Sequence, residues 1–206
     1  MKGGTNMKAK YITIEREYGS GGTQIARQLA EETGIPCYGR EILEAVSAEQ
    51  NISLAQIEQY EESVTNSFLY SVYVLAQAAN GNSDMLSKEG HIFVAEQAAI
   101  QKLAKSGRAI FLGHCASEAL KDHNNTVSVF IRCGDENEKK KRIVSDYGVP
   151  EHEADRISRK FDRKRANYYY ANTARKWDDF KNYDIVLDSA ALGTDGCVDI
   201  LKSVLE

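Results

Sequence analysis

The 206-residue sequence has no long apolar run, no paired-cysteine motif and no cluster spaced like metal ligands. Its longest largely apolar stretch, Phe68 to Ala79, is shorter than the ~20 residues a membrane-spanning helix needs. The start, Met1-Lys2-Gly3-Gly4-Thr5-Asn6, lacks an apolar signal core, and Met7 offers an alternative start behind that tail. The expectation is a cytoplasmic protein without membrane contact. Cys37, Cys115, Cys133 and Cys197 lie far apart with no C-x-x-C, which argues against a zinc knuckle and for reduced thiols. HExxH, a cysteine–histidine cluster, Gly-x-Ser-x-Gly and a paired-carboxylate signature are all missing, which weakens hydrolase and structural-metal readings. No internal repeat or low-complexity linker interrupts the chain.

One further absence is local. From Glu41 to Ser87 there is no Lys or Arg, while Glu41, Glu44, Glu49, Glu58, Glu61, Glu62 and Asp84 are acidic. From Gln101 to Lys181 stand 18 of the 26 basic residues. The formal net charge of −4 therefore hides an acidic block followed by a basic one. The total opposes a uniformly basic nucleic-acid binder. The distribution fits either solvated helix faces or a site for an anionic small molecule. At 42% hydrophobic and 27% charged, the composition is that of a globular chain. One domain with inserted lobes is the default for this length.

What is present alternates. Tyr11-Ile12-Thr13-Ile14 reads as a short strand, followed by Gly19-Ser20-Gly21-Gly22 and then by Ile25, Ala26, Leu29 and Ala30 at helical spacing, ending at Gly34. Ala109 to Leu112, Val127 to Ile131 and Ile185 to Leu187 read as buried strands. Helical patterns separate them at Gly90 to Ser106 and Glu136 to Tyr147. Such alternation predicts an α/β fold with a parallel sheet covered on both faces. Arg40 to about Ala79 reads as helical throughout, an insertion between the first and later strands. Pro150 to Arg175 is a second excursion, dense in Arg, Lys and Tyr.

Three features carry chemistry. The first is Glu15-Arg16-Glu17-Tyr18-Gly19-Ser20-Gly21-Gly22-Thr23, a Gly-rich turn between a strand and a helix. Backbone N–H groups and the helix dipole suit a phosphate there. Set on the P-loop pattern G-x-x-x-x-G-K-[ST], Gly21 takes the second glycine and Thr23 the Ser/Thr, but Arg16 replaces the first glycine and Gly22 the lysine. Either the turn is a plain βα connection, or another cation replaces the lysine. Arg16 is the candidate. The second feature is Arg156-Ile157-Ser158-Arg159-Lys160-Phe161-Asp162-Arg163-Lys164-Arg165, in which Arg156, Arg159, Lys160 and Arg163 share a helix face. It suits a triphosphate, a nucleic-acid backbone or a solvated helix. The third is the set of strand ends where open α/β sheets bind ligands, here His114, Arg132 and Asp188. For His114 a partly buried structural role competes with a ligand role.

Together these residues resemble the cytidylate kinase-like family, a branch of the nucleoside monophosphate kinases. The resemblance runs from about Lys10 to the C-terminus. It rests on Ile14 to Gly22, Tyr38-Gly39-Arg40-Glu41-Ile42-Leu43, Gly113-His114-Cys115-Ala116, Val129-Phe130-Ile131-Arg132, Asp162 to Tyr169, Trp177 and Tyr183-Asp184. Gly22 in place of lysine is usual for this branch, whereas His114 stands where it carries arginine.

The resemblance implies a three-layer P-loop NTPase fold with a parallel five-stranded sheet. It implies one domain over 1–206, with a helical monophosphate-binding insertion at 40–101, an Arg-rich lid at 150–170 and a flexible tail at 1–9. The implied reaction is transfer of the ATP γ-phosphoryl group to CMP or dCMP with Mg²⁺. Carried over by position, Gly19, Ser20, Gly21, Gly22 and Thr23 hold the donor phosphates, with Thr23 at the metal. Arg40 meets the monophosphate, with His114 and Arg132 as further substrate positions. Arg159, Arg163 and Arg165 clamp the transferring group, so Arg163→Ala is expected to lower kcat more than ATP binding. The partners are small-molecule nucleotides rather than nucleic acid, and a homodimer is compatible with the reading. A nucleotide-binding regulatory protein with little turnover is the alternative.

Overall fold

The computed structural model describes residues 8–57 and 88–205. Five strands form one parallel sheet in the order β2-β3-β1-β4-β5: β1 (Tyr11–Arg16), β2 (Cys37–Tyr38), β3 (Ala109–Leu112), β4 (Thr126–Arg132) and β5 (Ile185–Asp188). Between them run α1 (Gly22–Thr33), α2 (Arg40–Gln50), α3 (Lys88–Lys105), α4 (Ala116–Ala119), α5 (Glu136–Tyr147), α6 (Ala154–Thr173) and, after β5, α7 (Ser189–Leu205). This is the three-layer α/β architecture of P-loop kinases.

The apolar runs become strands because both sheet faces are covered. Along β3, Ile110 and Leu112 pack with Ile12, Ile14, Ile25, Leu29 and Leu201 on the α1/α7 side. The alternate residues Ala109 and Phe111 pack with Tyr11, Ile42, Val46 and Ile100 on the α2/α3 side. A period of two with apolar residues on both faces gives the continuous hydrophobic runs of a buried parallel strand.

Strand order fixes where a ligand goes. From β1 the chain crosses to β2 and returns to β3, then passes to β4 on the other side of β1. The crevice beyond the carboxyl end of β1 is thus the topological switch point, and Arg16 ends that strand.

Several expected boundaries move. Ala9 is buried and its N–H donates to the Val204 carbonyl at 2.8 Å, so it belongs to the fold rather than to the tail expected over 1–9. The insertion expected at 40–101 ends inside α3, because that helix continues to Lys105 against the sheet. Of that insertion, 58–87 lie outside the described residues. The expected lid, 150–170, is a 3-10 turn, Glu151–Glu153, followed by most of α6. The four cysteines are free thiols, three of them buried. Among the described residues no helix is long and apolar enough to cross a membrane.

Helix α5 starts where Asp135 accepts the N–H groups of Asn137 at 2.8 Å and Glu138 at 3.2 Å. Asp135→Ala removes this N-cap and is expected to cost about 1 kcal/mol. The thermal midpoint should fall by roughly 2–4 °C by calorimetry.

Candidate active site

Beyond β1 the chain turns through Gly19 and Gly21, at φ +75° and +76°, and enters α1 at Gly22. These left-handed residues fold the loop back over the helix start. Gly21 is the N-cap and supplies no side-chain acceptor, and the first turn of α1 holds no acidic residue. One early amide is partly served, since Ser20 Oγ accepts the Gly22 N–H at 3.3 Å. The others present a positive helix end suited to an anion. Thr23, half-buried, is the second residue of α1.

The loop is fastened to α5 and α6 by contacts across many residues of sequence. The Tyr18 N–H donates to Asp162 Oδ1 at 2.6 Å. The Tyr18 ring is stacked between Phe161, at 4.6 Å and 8°, and Tyr147, at 4.7 Å and 28°. Arg165 Nη1 donates to the Arg16 carbonyl at 2.9 Å. Buried Lys139 on α5 donates to Glu17 Oε2 at 3.2 Å and lies 3.7 Å from Asp162 Oδ2. Burial opposes the Lys139 ammonium, but the Glu17 and Asp162 carboxylates outweigh it and hold its pKa above the usual lysine range. Burial pushes the Asp162 carboxyl above the usual carboxylate range, against the pull of the Tyr18 N–H and Lys139. Two carboxylates consequently neutralise Lys139, and its charge serves the loop rather than a ligand.

Beside the loop lies a cleft of about 400 Å³. Four cationic side chains line it: Arg16, Arg40, Lys164 and Arg165. His114 and Tyr168 form part of its wall. Such convergence of positive charge at a switch point suits an anionic small molecule. His114 is presented by a sharp turn in which Gly113, His114 and Cys115 have φ of +81°, +58° and +51°. For the two non-glycine residues this conformation costs of order 1–3 kcal/mol each. The surroundings hold it in place. The Gln97 amide donates to the His114 carbonyl at 3.1 Å, and His114 Nδ1 lies 3.8 Å from fully buried Glu96, which also accepts the Tyr168 hydroxyl.

The other sequence-derived positions are distributed as follows. Arg40 is exposed, 3.5 Å from Glu44, at the rim of the cleft. Arg132 ends β4, on the other side of β1 from His114, 3.8 Å from Asp188 at the end of β5. Asp188 accepts the N–H groups of Gly134 at 2.8 Å and Ala190 at 3.0 Å, which holds its carboxyl below the usual range. Helix α6 separates the three lid arginines. Arg165 faces the cleft, whereas exposed Arg159 and Arg163 line a groove of about 390 Å³ with Arg156, Lys160 and Lys164. At 100° per residue, positions 163 and 165 point to opposite sides of a helix.

Tyr18 and Asp162 stand in the sequence motifs without a role of their own, and Lys139 and Arg142 stand outside them. Arg142 Nη1 donates to Ser189 Oγ at 3.0 Å and to the Ser20 carbonyl at 3.4 Å, which lays its guanidinium along the loop. The i,i+4 pair of Lys139 with Ile143 was the available signal, since both lie on the buried stripe of α5.

Comparison with known proteins agrees with this fold. The sequence matches the cytidylate kinase-like family over residues 11–191. No curated protein matches it. A crystal structure of an uncharacterized protein from Eubacterium ventriosum superimposes with a TM-score of 0.68 at 26% identity, over 95% of this chain and 97% of that one. TT1252 from Thermus thermophilus superimposes with a TM-score of 0.50 at 14% identity, over 95% of each chain, a likeness of fold alone. For the shikimate kinase of Bacteroides thetaiotaomicron the TM-score is 0.48 at 12% identity, over 95% and 97%. Matched along most of its length, the chain belongs to the cytidylate kinase-like family.

Proposed function

We propose that this protein transfers the γ-phosphoryl group of ATP to a nucleoside monophosphate, CMP or dCMP. The observation that carries the reading is a four-cation cleft abutting a P-loop turn whose helix start is open to an anion. Family membership supports the kinase class and supplies the cytidylate choice. ATP and a monophosphate as substrates fit a cytoplasmic location.

In this reading Gly19 to Thr23 hold the donor phosphates. Arg40 and His114 receive the acceptor from the cleft rim and the β3 turn. Arg16, Lys164 and Arg165 surround the point of transfer. Arg159 and Arg163 add positive potential that steers anionic nucleotides inward. Arg132 and Arg142 flank the donor side. Mg²⁺ keeps most of its waters and binds chiefly through nucleotide phosphates, so the Thr23 hydroxyl fits as its protein contact and no carboxylate cage is needed. When bound, the ion neutralises charge on the donor oxygens. A dianionic acceptor phosphate requires no base, so positioning and charge supply the catalysis.

Purified protein with ATP and Mg²⁺ should convert CMP and dCMP to diphosphates with higher kcat/KM than UMP or AMP. Gly22 at the lysine position favours one competitor, a nucleotide-binding protein without turnover. Measurable ATP binding with no product from any monophosphate would establish that competitor instead.

A further inference from the structure

The two departures from the P-loop pattern form a single exchange. Gly22 opens α1 directly beneath Arg16. A Cβ on Gly22 would stand 2.6 Å from Arg16 Cβ, 2.9 Å from Arg16 Cγ and 3.3 Å from Ile131 Cβ. Non-bonded carbons meet at about 3.5–4 Å, so any side chain there collides with the arginine stem. The guanidinium then extends across to β3, where a Cβ on Gly113 would stand 2.5 Å from Arg16 Nη1. Gly22 and Gly113 thus floor one slot, Arg16 fills it, and Arg16 also lines the cationic cleft beside the loop. A lysine in the usual place and an arginine at the end of β1 are mutually exclusive.

We propose that Arg16 is the catalytic cation of this P-loop, entering from the strand end in place of a lysine from the helix start. This rests on the phosphotransferase reading above. In the transfer, the bond between the γ-phosphorus and the bridging oxygen breaks as an acceptor phosphate oxygen bonds to that phosphorus. The bridging electron pair stays on the departing diphosphate, and no proton needs to move. Charge spreads over the γ-oxygens and the leaving oxygen. A guanidinium, always charged and forked, can hold two of these oxygens at once.

Four variants test this: R16Q, R16G, G22K and R16G/G22K. R16Q keeps the stem over Gly22 and removes the charge. The double variant writes G-E-Y-G-S-G-K-T, the full pattern. R16Q should lower kcat at least 100-fold and ATP affinity about tenfold, with the thermal midpoint near that of the unmodified protein. R16G should behave alike. G22K should lose thermal stability through the collision. R16G/G22K should recover that stability and raise both kcat and ATP affinity at least tenfold over R16G. R16Q within threefold of the unmodified kcat would make Arg16 a strut and overturn the proposal, as would a double variant no better than R16G. If the unmodified protein turns over no acceptor, the kinase reading fails and the catalytic role with it. The melting and ATP-affinity arms then still decide whether Arg16 replaces lysine as the loop's phosphate-binding cation.

Discussion

Arg165→Ala is expected to lower kcat by about 10²–10³, the loss that follows removal of one preorganised donor from a charge-stabilising site. Arg165 is held before any ligand arrives. Its Nη1 donates to the Arg16 carbonyl at 2.9 Å, lies 3.8 Å from Asp162 Oδ1, and the guanidinium sits 5.7 Å from the centroid of the Tyr18 ring. A cation fixed in this way loses little entropy when phosphate charge develops. Folding should suffer far less, since one hydrogen bond to a carbonyl contributes about 1 kcal/mol. Steady-state kinetics with calorimetry separate the two effects. Arg163→Ala is the comparison. Its exposed position on the other side of α6 makes a fall of less than about tenfold the expectation, mostly in kcat/KM and sensitive to salt. Equal losses for the two arginines would put both on the transferring group.

Lys139→Met should be the most destabilising polar substitution in the site. The ammonium is nearly buried and stands between Glu17 and Asp162. Methionine keeps the volume and leaves two partly buried carboxylates facing each other. Breaking a buried pair by removing one partner costs about 3–5 kcal/mol. For a chain of this size, at roughly 2–4 °C per kcal/mol, the midpoint should fall on the order of 10 °C. The deficit should also depend on pH. Asp162 already has a raised pKa through burial, and loss of Lys139 raises it further. A carboxyl whose folded pKa exceeds its unfolded value favours the folded state at low pH, and that advantage disappears as pH rises through the folded pKa. The deficit of the variant should therefore be larger at pH 8 than at pH 5. A midpoint within about 2 °C of the unmodified protein at pH 8 would remove Lys139 from the framework of the loop.

How much of this was legible in the sequence depended on the range of the forces involved. Helix α5 was read at its observed limits, Glu136 and Tyr147, because an N-cap aspartate precedes it and Gly148 ends it. The strands β1, β3, β4 and β5 were found as apolar runs, since burial on both faces leaves little polar alternation. Strand β2 was not, because Cys37–Tyr38 is too short for any period and pairs with β3 alone at the sheet edge. The glycine turn was visible because its backbone demands glycine locally. The Glu17–Lys139–Asp162 cluster was not, because three elements meet there and no spacing within one element encodes it. Lys139 was hidden in a basic run, Lys139 to Arg142, that reads as solvated. The lid arginines show the opposite case. Phe161, Arg165 and Tyr169 recur every four residues along one side of α6, so helical phase separates Arg165 from Arg163, although the resemblance groups both with Arg159 in one clamp.

The most direct test is a single turnover with protein in excess over ATP labelled in its γ-phosphate, with Mg²⁺ and CMP or dCMP present. The label should appear in CDP or dCDP at a rate no slower than steady-state kcat, and Arg165→Ala should slow its appearance at least 100-fold. Label that stays in bound ATP, or leaves as inorganic phosphate without entering the acceptor, would contradict the proposed transfer.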